Sequence, residues 1–327
     1  MKYIKIIVVI LILLLKTKAY AIGTIDTIDT VRFSFLDPTP QFDPGAYVKG
    51  MVYFDNGLSM PANTTFQFGS LGIINGGIYF NNATLQLTSD LLLGSKAIIY
   101  GPGTIDLNGY SIILSDIVSI NDAITISGFN GTNAIEGNGQ VLDFNNGAII
   151  NHGETVKINN IAAQSIWNYL PGIANFDVDE LIAENSSFVF QEFVGNTVNF
   201  APLLHINGNC EIYGINQYVV CDQIDFSSGI LRISDNTTLE VTGNISGSDT
   251  GNDYPSKITL NGSHLKFTSP TAQINAIQLV VNGACTLSSV APLTINDGSI
   301  DYCDILINPG ATLSIDNRTT IIDNSNK

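Results

Sequence analysis

Charge is what this sequence has least of. Lysine and arginine together number 13 in 327 residues, and charged residues of both signs make up 13% of the chain. An ordinary soluble domain carries about twice that fraction. Acids outnumber bases 29 to 13, for a formal charge of −16. So few bases exclude a general nucleic-acid-binding face, which needs Lys and Arg to neutralise phosphates, and weigh against attraction to anionic lipid. The three histidines, His152, His205 and His264, stand apart in the sequence with no zinc-ligand spacing. Helical periodicity is nearly absent. Only Ile161 to Leu170 and Asp179 to Glu184 allow a short helical turn, and both fit a strand equally well.

Long hydrophobic runs are also missing, with one exception at the start. A basic opening (Met1 to Lys5) leads into the apolar run Ile6 to Leu15, then Lys16-Thr17-Lys18 and Ala19-Tyr20-Ala21. This order of basic region, apolar region and small-residue site reads as a secretory signal peptide over residues 1–21, with cleavage expected after Ala21. A membrane-spanning helix needs about 20 apolar residues, roughly twice what is here. Cleavage would remove four lysines and leave nine bases against 29 acids, a charge of −20. No later stretch reaches spanning length, so no stable membrane span is expected in the exported chain, and the repeat-like units running almost to Lys327 are expected to leave no room for a translocator barrel. Its destination would be the periplasm, the cell surface or the medium.

What the sequence does have is aliphatic residues and asparagine. Hydrophobic residues reach 45%, and asparagine occurs 34 times. Asn-Gly, a pair that tolerates positive φ and marks turns, occurs nine times. Residues 22–65 are irregular, with Pro38, Pro40, Pro44 and many aromatics, and read as an N-terminal cap or lead-in. From about Phe66 onward, short β-branched runs such as Ala97 to Tyr100, Ser111 to Leu114 and Ala123 to Ser127 are separated by Asn, Gly, Asp and Ser.

A unit of polar turn, small residue and alternating apolar residues recurs. Its leucine falls at Leu85, Leu239, Leu265, Leu287 and Leu313. The last four are spaced 26, 22 and 26 residues apart, a period that marks a solenoid or array. The expected fold is all-β: a right-handed parallel β-helix, or β-solenoid, over residues 66–327. Inward positions would form apolar ladders, and Asn would suit the corners, where it accepts left-handed backbone geometry. Asparagine enrichment also follows from AT-rich codon usage, and both causes fit.

The stretch Ala134-Ile-Glu-Gly-Asn-Gly-Gln-Val-Leu-Asp-Phe144 resembles a coil motif of the pectin-lyase-like right-handed β-helix superfamily, and Gly101 to Gly109 is similar. The unit Gly310-Ala-Thr-Leu-Ser-Ile315 resembles passenger coils of bacterial adhesins and autotransporters. The resemblance covers residues 66–320. It implies a fold and says little about activity.

Some members of that superfamily are polysaccharide lyases or glycoside hydrolases. The resemblance then implies a Lys or Arg base with acidic Ca²⁺ ligands, or a series of Asn-Thr-Asp, Asp-Asp, Gly-His-Gly and Arg-Ile-Lys. Here only Asn151-His152-Gly153 and Arg232-Ile-Ser234 approach it, and neither Asp-Asp nor Asn-Thr-Asp occurs. A carboxylate pair is not signalled. His152, Glu154 and Asp143 are the first places to look for catalysis, and a turn is the simpler reading of His152. No catalytic residue is assigned.

Asp249, Asn252 and Asp253 gather hard oxygen ligands in one Gly-containing loop that would suit Ca²⁺, although a solvated loop explains them as well. Asp177, Asp179 and Glu180 read as an outward acidic patch. The four cysteines, Cys210, Cys221, Cys285 and Cys303, allow three connectivities, with Cys210–Cys221 and Cys285–Cys303 suggested by proximity in the chain. The alternative is buried free thiols. Eight Asn-x-Ser/Thr sequons occur, among them Asn63, Asn82 and Asn185.

The first functional reading is therefore an exported, non-enzymatic β-helix with an adhesive, structural or ligand-binding role. Surface glycans or proteins are its expected partners, through aromatics such as Tyr213, Tyr218, Tyr254 and Trp167 or along a solenoid face. The alternative is a carbohydrate-active enzyme on the same fold. A third reading is self-association through the C-terminal coil, Ile315 to Ile322.

Overall fold

The computed structural model describes residues 21–22, 31–33, 41–42, 48–54, 57–60, 62–130, 132–144, 148–159, 161, 176–190, 197–214, 216–247, 256–296, 305–316 and 321–323. Among these residues there are strands and turns and no helix, so none is long and apolar enough to cross a membrane. Asp179 to Glu184, open to two readings from sequence, lies within the strand Phe176–Glu184. The strands pair in parallel, and the chain is a β-solenoid. It divides into two compact units, Met1–Gly128 and Phe129–Lys327.

In the first unit each coil contributes short strands to three ladders. One inward column runs Phe66, Leu85, Ile105, Ile126. A second runs Leu58, Ile78, Ile99, Ile120. A third runs Phe33, Phe54, Ile74, Leu93, Leu114. The residues 22–65, read from sequence as a lead-in, already supply rungs: Val31–Phe33 pairs with Val48–Phe54, and Leu58–Ser59 with Gly77–Tyr79. The Phe33 and Phe54 rings stack at 5.2 Å, and Phe68 packs edge-on to Phe54 and Phe66. The aromatics that make this stretch irregular in sequence thus include core residues.

The second unit repeats the design with longer and more variable coils. Its columns include Ile135, Ile158, Ala183, Ile206, Phe226 and Val198, Val219, Leu239, Leu265, Leu287, Ile315. Leu239, Leu265 and Leu287 are fully buried. Such a column forms because strand side chains alternate faces, so every second residue meets its counterpart one rung away.

One repeat position differs from the sequence alignment. Ile315, not Leu313, stacks on Leu287, while Leu313 stacks on Cys285. A shift of two keeps the inward face inward, so the apolar pattern alone does not distinguish the two registers. In the same final coil Ile307 and Ile315 are 48% and 44% exposed, although their column partners Val281 and Leu287 are fully buried. The described residues place a rung on only one side of that coil.

The corners use asparagine as expected. Of twelve described non-glycine residues with positive φ, eight are Asn. Asn108-Gly109 and Asn138-Gly139 both place two successive residues there, the geometry of a tight turn whose first residue asparagine tolerates. Asparagine also bonds from rung to rung. Asn282 donates to Asn261 at 2.9 Å, Asn261 donates to Ser234 at 3.2 Å, and Asn308 donates to Asn282.

Candidate functional site

Outward side chains on this fold meet their neighbours one rung away, so a site is built from residues about one coil apart in sequence. The first such constellation is Tyr218, Glu240 and Lys266. Lys266 Nζ donates to Glu240 Oε2 at 2.7 Å and to Tyr218 Oη at 2.5 Å, and lies 5.2 Å from the Tyr218 ring centre. Tyr218 and Thr268 also donate to Glu240. Burial pushes Tyr218 up, and its hydrogen bond to Glu240 adds to the shift. Burial alone would raise the Glu240 carboxyl, but the bonds from Lys266 and Tyr218 outweigh it and the net shift is downward. Bonding to Glu240, then to Tyr218, raises Lys266. Each shift moves its group further from neutral pH. The trio is a fixed ion pair with a tyrosine bracket, unsuited to moving protons.

The second constellation is on the strands Phe176–Glu184, Thr197–Tyr213, Tyr218–Ser234 and Ile245–Gly247. His205 Nε2 lies 2.6 Å from Glu180 Oε1, and Thr155 donates to the other oxygen of the same carboxylate. A carboxylate bound in this way fixes the orientation of an imidazole and which ring nitrogen faces outward. Asp225 is in register with His205 on the next rung, and Ser246 with Asp225 on the rung after that. Gln223 donates to both Asp225 oxygens, at 3.0 and 3.2 Å. His205, Gln223, Asp225, Phe226, Ser227 and Ser246 line an open groove of about 480 Å³. The lining contains no Lys or Arg.

His205 stands alone in the sequence because its partners come from other coils. Glu180, read from sequence only as part of an acidic patch, is one of them. Lys157 is likewise paired, to Glu184 at 2.8 Å. His264 bonds Asn236 at a corner, at 2.8 Å. Asp143 lies on the strand Leu142–Phe144, while the side chains of His152 and Glu154 fall outside the described residues. So do Asp249, Asn252 and Asp253, and with them Tyr254 and Trp167. Among the described residues no three of His, Cys, Asp or Glu are grouped to hold a metal ion.

The described cysteines are all buried. Cys210 is a free thiol, so the suggested Cys210–Cys221 bridge is not formed. The register gives the reason. Cys221 sits between Ala201 and Val241, whereas Cys210 pairs with Leu231, in a different column. Cys210 Sγ donates to the Ala183 carbonyl at 3.3 Å, and Cys285 Sγ to the Leu260 carbonyl at 3.4 Å. Ser186, Thr237 and Ser263 occupy equivalent buried positions, two residues before an inward apolar side chain. Their hydroxyls donate to the carbonyls of Ile158, Gly214 and Ile233. Cysteine thus replaces serine or threonine as a small donor to a corner carbonyl. Cys303 lies outside the described residues.

Burial pushes the Cys210 thiol up to about 11, and a thiol kept protonated is a poor nucleophile. Cys210 is therefore expected to resist iodoacetamide at pH 8 in the folded protein, as is Cys285 because burial denies the reagent access to it, and both should react once the protein is unfolded. Peptide mapping of alkylated, non-reduced digests checks this. Alkylation of the native state at the rate of a free peptide thiol, or a Cys210–Cys221 cross-linked peptide, would contradict it.

Comparison with protein-family models, with curated proteins and with solved structures finds no match to this chain.

Proposed function

We propose that this protein is an exported, non-enzymatic β-solenoid that acts at a surface by adhesion, by a structural role or by ligand binding. The observation that carries this reading is how its outward polar groups are used. Glu240, Lys266 and Tyr218 bind one another, and Lys157 binds Glu184. One side of the coils is tied rung to rung from Ser234 through Asn261 and Asn282 to Asn308. These side chains hold coils in register and leave a long polar face of the kind solenoids use for binding. Export rests on residues 1–21 as a signal peptide, and the likeness of the coils to pectin-lyase-like and adhesin passenger coils is consistent with a surface role.

A second reading, a carbohydrate-active enzyme, is favoured by one feature: an imidazole oriented by Glu180 beside Asp225 in a groove. Incubating the mature protein with pectate, xylan, mannan and glucan separates the two. The proposal expects no release of reducing ends or unsaturated uronides over long incubation. Release that persists through purification and disappears in a His205→Ala variant would establish the second reading instead.

A further inference from the structure

We infer that the His205–Asp225 groove is a subsite for a neutral saccharide, a ligand class that rests on the binding reading above and makes it specific. The groove presents hydrogen-bonding groups of both kinds. Asp225 accepts, Ser227 and Ser246 donate and accept, and Gln223 has a carbonyl beside the amide that holds Asp225. The His205 nitrogen not bound to Glu180 adds another. A sugar hydroxyl is at once donor and acceptor, so a polyhydroxylated ligand matches such a mixed set. A ligand offering only acceptors does not.

Charge narrows the class further. Asp225 lines the groove, Glu180 stands directly behind His205, and no Lys or Arg lies in the lining. On a chain of net charge −16, a uronate, sulfate or phosphate would meet like charge with no compensating cation. A cation fares less well than its attraction to Asp225 suggests. Glu180 is already bound by His205 and Thr155, and Asp225, the one carboxylate in the lining, is already bound by Gln223.

Shape points to an extended ligand. His205, Asp225 and Ser246 occupy three successive rungs of one column, which spans two strand spacings, about 10 Å. The column continues to Asn275. The track is polar throughout, because Phe226, next to Asp225 on the strand, turns its ring into the inward column and is almost fully buried.

The test is calorimetric titration of the mature protein with neutral hexasaccharides of xylose, mannose and glucose, with hexagalacturonate and spermidine as charged counterparts. The expected result is saturable binding of at least one neutral hexasaccharide, weakened about tenfold or more in both Asp225→Ala and His205→Ala, the loss of about one charge-assisted hydrogen bond. Neither charged compound should bind more tightly than the neutral one. Proton NMR gives a readout independent of the variants. The ring resonances of His205 should shift on titration while those of His264 stay in place.

Absence of binding by every neutral hexasaccharide overturns the inference, as does tighter binding of hexagalacturonate or spermidine. Neutral binding that both variants retain, with His205 unmoved, overturns the groove assignment and leaves the binding reading standing. Cleavage of a hexasaccharide bound in the groove would do the reverse.

Discussion

Leu265→Asp should cost the second unit several kcal/mol of stability and remove its cooperative unfolding transition. Leu265 is fully buried between Leu239 and Leu287, themselves fully buried, on consecutive rungs. The substitution loses the burial of a leucine side chain, about 1.5–3 kcal/mol. It also places a carboxylate where no cation or donor reaches it, a cost of several kcal/mol even if the group takes up a proton. The whole fold of a typical domain is stable by only about 5–15 kcal/mol. Because coils are stabilised by their neighbours, damage at one rung propagates to the rungs on both sides. The control is Thr286→Asp, one residue from Leu287 on the outward face; it should change stability by less than about 1 kcal/mol. Denaturant unfolding followed by circular dichroism checks both. Equal midpoints for the two variants would show that this column does not face inward.

Gly229→Val should be the most damaging of the substitutions at the glycines described in the second unit. Gly229 has φ of +107°, and a Cβ there would lie 2.0 Å from the Gly208 carbonyl oxygen. Gly208 is its register partner on the preceding rung. Two penalties coincide: a backbone conformation that L side chains rarely adopt, and a clash with backbone that has no room to retreat within a ladder. We expect a loss of about 3 kcal/mol or more. Gly139→Ala separates the two effects, since Gly139 also has positive φ, +74°, but nothing lies within 4 Å of its would-be Cβ. It should cost about 1 kcal/mol. Similar losses for Gly139→Ala and Gly229→Ala would mean that φ alone matters and that the rungs are not as close as described.

The fold is legible because its physics is repetitive. Leu239, Leu265 and Leu287 align in the sequence, and the structure stacks them. Asparagine at corners follows from its tolerance of left-handed geometry, and Asn138, Asn185 and Asn236 adopt it. The limits are equally physical. Coil length varies: Leu231 to Ile258 spans 27 residues, but Ile258 to Leu279 spans 21. Without a fixed period, no count along the sequence places Glu180 against His205, or Asp225 beside it. That is why the groove escapes a reading of the sequence, although its chemistry is present in the residues. The same variation puts Leu313 in place of Ile315. The role of cysteine is hidden for a different reason. Only the register shows that Cys210 and Cys285 stand where Ser186, Thr237 and Ser263 stand elsewhere, and proximity in the chain suggests a bridge that the columns do not allow.

The central claim is that residues one coil apart are neighbours in parallel register, and it is most directly tested between two outward positions in one column. Thr238, His264 and Thr286 occupy successive rungs. Nitroxide labels on Thr238→Cys and Thr286→Cys, with the four native cysteines replaced by serine, should show strong dipolar broadening, with backbones about 10 Å apart, two strand spacings. A pair of labels with no broadening, separated by more than about twice that distance, would contradict the stacked register and everything built upon it.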